Sequence, residues 1–112
     1  MEKELTWSEY QEFVVSTKRY SENYRLLYPV LGLASEAGEV AGKLKKILRD
    51  NNGEISEEQA GKLFDELSDV LWYVTCCLDD LGLSLEALAH YNVAKLTSRA
   101  DRGVIQGDGD NR

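Results

Sequence analysis

The sequence is poor in the residues that most often announce a binding chemistry. It holds one histidine, one methionine, one proline and two cysteines in 112 residues. The two cysteines, Cys76 and Cys77, are neighbours in an apolar run. Adjacent side chains on a helix diverge by about 100°, which leaves no room for an unstrained disulfide. They read as small buried apolar groups of a reducing compartment, so the expected location is cytoplasmic. One adjacent pair and the lone His90 do not supply zinc-ligand spacings. The Glu-x-x-His signature of di-iron bundles is also missing, because Ala87 stands three residues before His90. Positive charge is short as well: the net charge is −7, which argues against a nucleic-acid-binding surface. No apolar run reaches the roughly 18 residues of a membrane span. The start, "MEKELTWSEY", has neither the basic opening nor the apolar run of a signal peptide. Neither a membrane nor a nucleic acid is therefore an expected partner.

What is present suits one helical domain. Hydrophobic residues make up 43% and charged residues 29%, an ordinary soluble balance, and this length gives a modest core. Thr6 and Glu9 form a T-x-x-E capping box, which starts a helix running from about Trp7 to Tyr20. Pro29, the single proline, suits the first turn of a second helix, from about Val30 to Arg49, which "DNNG" ends. Ser56 with Gln59 opens a third helix to about Leu81, with Gly82 as its stop. Ser84 caps a fourth through "LEALAHYNVAKLTSRA". "VLWYVTCCL" is rich in strand formers, but its flanks keep a helical period. The expected fold is all-α: a four-helix, bundle-like domain over residues 1–102, with residues 103–112 as an extended C-terminal arm.

Within this frame, "SEAGEVAGKLKK" places Glu36 and Glu39 one turn apart, where like charges repel. Thirty positions on, "FDELSDVLWYV" repeats the spacing with Glu66 and Asp69. On a helical wheel Leu33, Ala37, Val40, Leu44 and Leu48 form an apolar arc with Glu36 and Glu39 along one edge. Leu63, Leu67, Val70, Leu71, Val74 and Leu78 form the matching arc on the third helix, edged by Glu66 and Asp69. If the arcs face each other, four carboxylates converge on one rim. Surface acids are common, and a single ExxE reads most simply as a solvated face. Two pairs at matching edges are different, since four uncompensated carboxylates would repel and raise their own pKa values. A hard divalent cation neutralises such a group, and Mg²⁺ prefers carboxylate oxygens and water, with Mn²⁺ as a substitute.

Mg²⁺ held in this way usually meets phosphate. Lys43 lies one turn beyond Glu39 and Tyr73 one turn beyond Asp69. Asn92, Lys95 and Arg99 share a face of the fourth helix. Each has an ordinary reading too, Lys43 as an i, i+4 partner of Glu39 and the others as solvated positions. Beside an acidic cluster, contacts to phosphate are the stronger reading.

"SEAGEVAGKLKK" followed by "DELSDVLWYV" resembles the MazG-like group of all-α nucleoside triphosphate pyrophosphohydrolases over about residues 30 to 100. The resemblance implies that Glu36, Glu39, Glu66 and Asp69 bind Mg²⁺. It further implies that Lys43, Tyr73, Asn92 and Lys95 contact the nucleotide. The implied reaction turns a nucleoside triphosphate, a dNTP or a noncanonical one, into the monophosphate and pyrophosphate, serving nucleotide-pool control. A homo-oligomer, dimer or tetramer, is implied as well. Glu39 is the candidate to orient or deprotonate the attacking water. Two alternatives stay open: hydrolysis of phosphoribosyl-ATP or another nucleotide diphosphate linkage, and a noncatalytic helical regulator. Trp72, well off the apolar arc, is read as an interface or pocket residue, and Tyr24 and Tyr28 as contact surface. Arg102 and Arg112 offer charge on a tail that could fold over a neighbouring subunit's site.

Overall fold

The computed structural model describes residues 2–107 and 109. Four α-helices follow one another: α1 (Trp7–Thr17), α2 (Leu27–Asp50), α3 (Glu57–Asp80) and α4 (Leu85–Asp101), with a 3₁₀ turn at Glu22–Tyr24. There is no strand among the described residues, so "VLWYVTCCL" keeps the helical period of its flanks. Both capping boxes form. Thr6 Oγ1 accepts from the Glu9 N–H while Glu9 accepts from the Thr6 N–H, and Ser56 and Gln59 do the same for α3. Gly82 sits at φ 73°, the left-handed conformation that ends a helix with least strain in glycine. No helix among the described residues is long and apolar enough to cross a membrane.

The heart of the chain is an antiparallel hairpin of α2 and α3. Each is 24 residues long, about 36 Å at the α-helical rise. Their apolar arcs face each other only in part. Leu33, Val40, Leu44, Leu63, Val70 and Val74 are half-buried and Leu78 is buried, but Leu48 and Leu67 stay about half exposed. Ile47, off the expected arc, is buried instead. α1 lies across the second half of α3, burying Val14, Thr75 and Cys76. The fourth helix leans chiefly on α1 and does not close a bundle with α2 and α3 within one chain. Gln11 of α1 holds its start, donating to the Leu83 carbonyl at 3.1 Å and accepting from the Leu85 N–H at 2.8 Å.

α1 ends at Thr17, three residues before the expected Tyr20, and the reason is electrostatic. Lys18 turns away to reach Asp79 (2.8 Å) and Asp80 (2.6 Å) at the end of α3. The Asp80 carboxylate also accepts from the Tyr20 hydroxyl and the Leu26 N–H, both at 2.8 Å. These bonds hold Leu26 at φ 62°, from which α2 departs three residues earlier than the sequence suggested. Burial pushes the Asp80 pKa up, but Lys18, the Leu26 N–H and the Tyr20 hydroxyl outweigh it and leave it lowered.

The resulting chain is open. Its radius of gyration is 17.1 Å, against about 13 Å for a compact domain of this size. Its accessible surface is 8519 Å², against roughly 6,200 Å² for a folded monomer of this mass. Phe64, at 76% exposed, is the extreme of a set that also includes Leu31, Leu71 and Tyr91. After α4, Val104 is half-buried and donates to the Arg99 carbonyl at 2.9 Å. Arg112 lies outside the described residues, and Arg102 caps α4, bonding Ser98 at 3.1 Å.

Candidate metal and nucleotide site

Halfway along the hairpin, α2 and α3 bring three carboxylates together. One oxygen each from Glu36, Glu66 and Asp69 lies within 4.8 Å of the others. The antiparallel register explains it: one turn along α2 matches one turn back along α3, so acids at equal spacing meet across the seam. Glu36 and Glu66 are half-buried and Asp69 is exposed, so the group opens to solvent on one side. Lys43 reaches Glu66 at 2.6 Å rather than pairing within its own helix with Glu39. Glu39 stands outside the trio on the exposed side of α2.

Charge in the group is unbalanced. Burial, the Glu66 hydrogen bond and the negative charge of Asp69, Glu66 and Glu39 all raise the pKa of Glu36. Burial raises that of Asp69, with Asp65 and Glu66 adding to it. Glu66 alone moves down, because Lys43 bonds it directly. The donor set is all oxygen and free of histidine and thiol, so it fits a hard cation such as Mg²⁺ or Mn²⁺ better than zinc.

Toward the start of α2, aromatic rings flank the acids. The Tyr73 ring packs against Gly32, where a Cβ would overlap it. Tyr28 tilts against Tyr73, with centroids 6.4 Å apart, and stacks on Tyr20 at 4.8 Å. Burial and the neighbouring Tyr28 push the Tyr73 hydroxyl's pKa up. A helix-interior glycine costs about 1 kcal/mol relative to alanine. Gly32 is one of four glycines inside α2 and α3, and a Cβ at Gly38, Gly42 or Gly61 would meet nothing, so a glycine in the sequence did not by itself mark this close approach. Trp72, expected at an interface or pocket, is half-buried in the single chain, and its Nε1 donates to Thr17 Oγ1 at 2.8 Å. Tyr24 and Tyr28 keep about half their surface exposed.

Asn92 and Lys95 are placed elsewhere. They line an apolar hollow with Trp7, Leu71, Val74 and Leu88, and Lys95 Nζ sits 5.6 Å from the Tyr91 ring centre. Arg99, on the same face of α4, is buried. Within one chain these α4 residues are not brought into the carboxylate group.

A protein of Mycobacterium phage L5 called "Gene 37 protein" is 52% identical over 87 residues, covering 78% of this chain and 76% of its own length. No solved structure matches the chain significantly. Residues 27–104, which span α2, α3, α4 and every acid of the group, match the family described as the MazG nucleotide pyrophosphohydrolase domain. The carboxylate hairpin lies within the matched residues, and the chain belongs to the MazG nucleotide pyrophosphohydrolase domain family.

Proposed function

We propose that this protein is an Mg²⁺-dependent nucleoside triphosphate pyrophosphohydrolase that releases the nucleoside monophosphate and pyrophosphate. The observation that carries this reading is the meeting of Glu36, Glu66 and Asp69 across the α2/α3 seam, with Lys43 on Glu66, inside the matched domain. Three carboxylates against one ammonium leave an excess of negative charge that a divalent cation would balance. Such a cation, when bound, draws off the charge developing on phosphate oxygens.

The chain's own residues supply the rest. Glu36, Glu66 and Asp69 hold the cation. Lys43, already at the edge of the trio, offers its ammonium to a phosphate oxygen. Glu39 lies outside the trio and exposed, which suits a base better than a ligand. It accepts a proton from water as the water oxygen bonds to phosphorus. The bridging P–O bond breaks and its electron pair leaves with pyrophosphate. Tyr73 marks the side on which the nucleoside rests. Asn92 and Lys95 contact the nucleotide only from the α4 of another subunit, since their own α4 does not carry them to the acids.

A homo-oligomer is part of this reading. The open α4, the half-exposed Leu48 and Leu67 and the excess accessible surface are what a second copy would cover. The test is a nucleotide panel assayed with Mg²⁺ for pyrophosphate release, which also separates nucleoside triphosphates from phosphoribosyl-ATP. Glu39→Gln and Asp69→Asn should each lower turnover about 100-fold or more, if each removes several kcal/mol of transition-state stabilisation. Circular dichroism should show both variants folded. Full activity in both would refute the site.

A further inference from the structure

Just before α2 the backbone is strained. Leu26 stands at φ 62° and ψ −46°, and the Leu27 N–H donates across it to the Arg25 carbonyl at 2.6 Å. This is a γ-turn of the positive-φ kind, rare and strained at a residue that carries a side chain. Such strain persists only where the surroundings over-determine it. Asp80 does so from the end of α3. Its carboxylate accepts from the Leu26 N–H at 2.8 Å, and its backbone carbonyl accepts from Arg25 Nη2 at 2.7 Å. The turn sets the direction in which α2 departs, and with it the place of Tyr28 in the first turn of that helix.

A second contact fixes Tyr28 from the segment ahead of the turn. Tyr20 donates its hydroxyl to Asp80 at 2.8 Å, and its ring stacks on Tyr28 with centroids 4.8 Å and planes 19° apart. Lys18 binds the same Asp80 carboxylate, and its Nζ lies 5.4 Å from the Tyr20 ring centre. Tyr28 in turn tilts against Tyr73 at 6.4 Å, within the range of favourable aromatic pairs. Tyr73 ends the ladder. Its ring packs against Gly32, one turn from Glu36, and it stands one turn beyond Asp69 on its own helix. None of the three rings is fully buried, so the ladder runs along the surface toward the acids rather than through the core. We propose that Tyr20 is a positioning residue for the nucleoside side of the site, acting through Tyr28 to hold the Tyr73 ring beside the carboxylates. This rests on the pyrophosphohydrolase reading above, in which the nucleoside lies toward Tyr73. Lys18 and Tyr20 precede the matched residues 27–104, so the support comes from a segment outside the family domain. Its contribution is to nucleotide binding and not to the chemical step.

The test measures kcat and KM with Mg²⁺ for the nucleotide that the full-length wild type turns over fastest, at a temperature where circular dichroism shows every variant folded. Losing a stacked pair changes an equilibrium about three- to tenfold. Tyr20→Leu should therefore raise KM about three- to tenfold with kcat held within about twofold, the pattern of binding lost equally from ground and transition states. Tyr20→Phe keeps the ring and should return KM to within about twofold of wild type. In a Tyr28→Ala background Tyr20→Leu should add less than about twofold, because the contact it acts through is gone. Val14→Ala loosens the buried contact of α1 with α3 away from the rings, and should lower Tm while KM stays within about twofold. An equal KM rise in Val14→Ala, or independent effects of Tyr20→Leu and Tyr28→Ala, would overturn the positioning role. So would an unchanged KM in Tyr20→Leu while the wild type hydrolyses nucleotides, a result that leaves the activity standing. A second readout needs no turnover: in NMR spectra of protein with isotope-labelled tyrosine rings, Tyr20→Leu should displace the Tyr28 and Tyr73 signals and leave Tyr91 in place. If the wild type hydrolyses no nucleotide, the activity reading fails; displaced Tyr73 signals would then still support the ladder, and an unmoved Tyr73 would overturn it.

Discussion

Replacing Asp80 with alanine should cost this small protein much of its stability. The Asp80 side chain is 3% exposed and holds three groups: Lys18 Nζ at 2.6 Å, the Tyr20 hydroxyl and the Leu26 N–H, both at 2.8 Å. Removing one partner of a buried, hydrogen-bonded ion pair typically costs about 3–5 kcal/mol. For a chain of this length that is a fall in Tm of about 12–20 °C, at fixed protein concentration. The pH dependence follows from the lowered Asp80 pKa. A carboxylate with a depressed folded pKa stabilises fully above its unfolded value of about 3.9, and loses that contribution as pH falls through the folded value. The gap between the wild-type and Asp80→Ala curves should therefore be widest at pH 7 and narrow below about pH 4. Asp79→Ala is the control: Asp79 is one third exposed and Lys18 keeps Asp80, so about 1 kcal/mol or less is expected. Thermal unfolding followed by circular dichroism from pH 3 to 8 reads all three proteins. A loss under 1 kcal/mol for Asp80→Ala at pH 7, or a gap that stays constant down to pH 3, would refute the reasoning.

Other expectations concern the site and its assembly. Gly32→Val should cost about 1–3 kcal/mol through overpacking against Tyr73, and most of that cost should vanish when the same change is made in a Tyr73→Ala background, both read by chemical denaturation. Mg²⁺ at about 100 times its dissociation constant should raise wild-type stability by about 2.7 kcal/mol; Asp69→Asn should respond far less, and an equal response would remove the trio as the binding site. Sedimentation at micromolar concentration should give a species larger than one 12.6 kDa chain. A monomer that keeps full activity would contradict the proposed role of a neighbouring α4.

The helices were legible because their signals are local. Thr6, Ser56, Gly82 and Ser84 each act within one turn of chain, and each marks the boundary it was expected to mark. The convergence of Glu36, Glu66 and Asp69 was legible because two apolar arcs of equal period fix the register of an antiparallel hairpin. What escaped depends on partners distant in sequence. Lys18 meets Asp79 and Asp80 across some sixty residues, and that contact, rather than any breaker, ends α1 early. A cue did exist: two acids in the last turn of α3 oppose the helix dipole, which favours cations there, so a basic partner was to be sought. The hydrogen bond of Trp72 escaped for a similar reason, since its partner Thr17 sits on another helix. The position of Asn92 and Lys95 was beyond the sequence because helical period gives a face, not what the face meets.

The Tyr73 ring resting on Gly32 also bears on how this site is free to drift over evolutionary time. The two positions are coupled: a side chain at 32 meets the ring, and a smaller residue at 73 leaves bare helix beside the acids. Descendants that vary here should vary at both positions together, with bulk at 32 appearing only after the aromatic at 73 has gone. A lineage that makes the exchange alters the wall on the side proposed for the nucleoside while its carboxylates stay untouched. Nucleotide preference would then diverge without any change in the reaction.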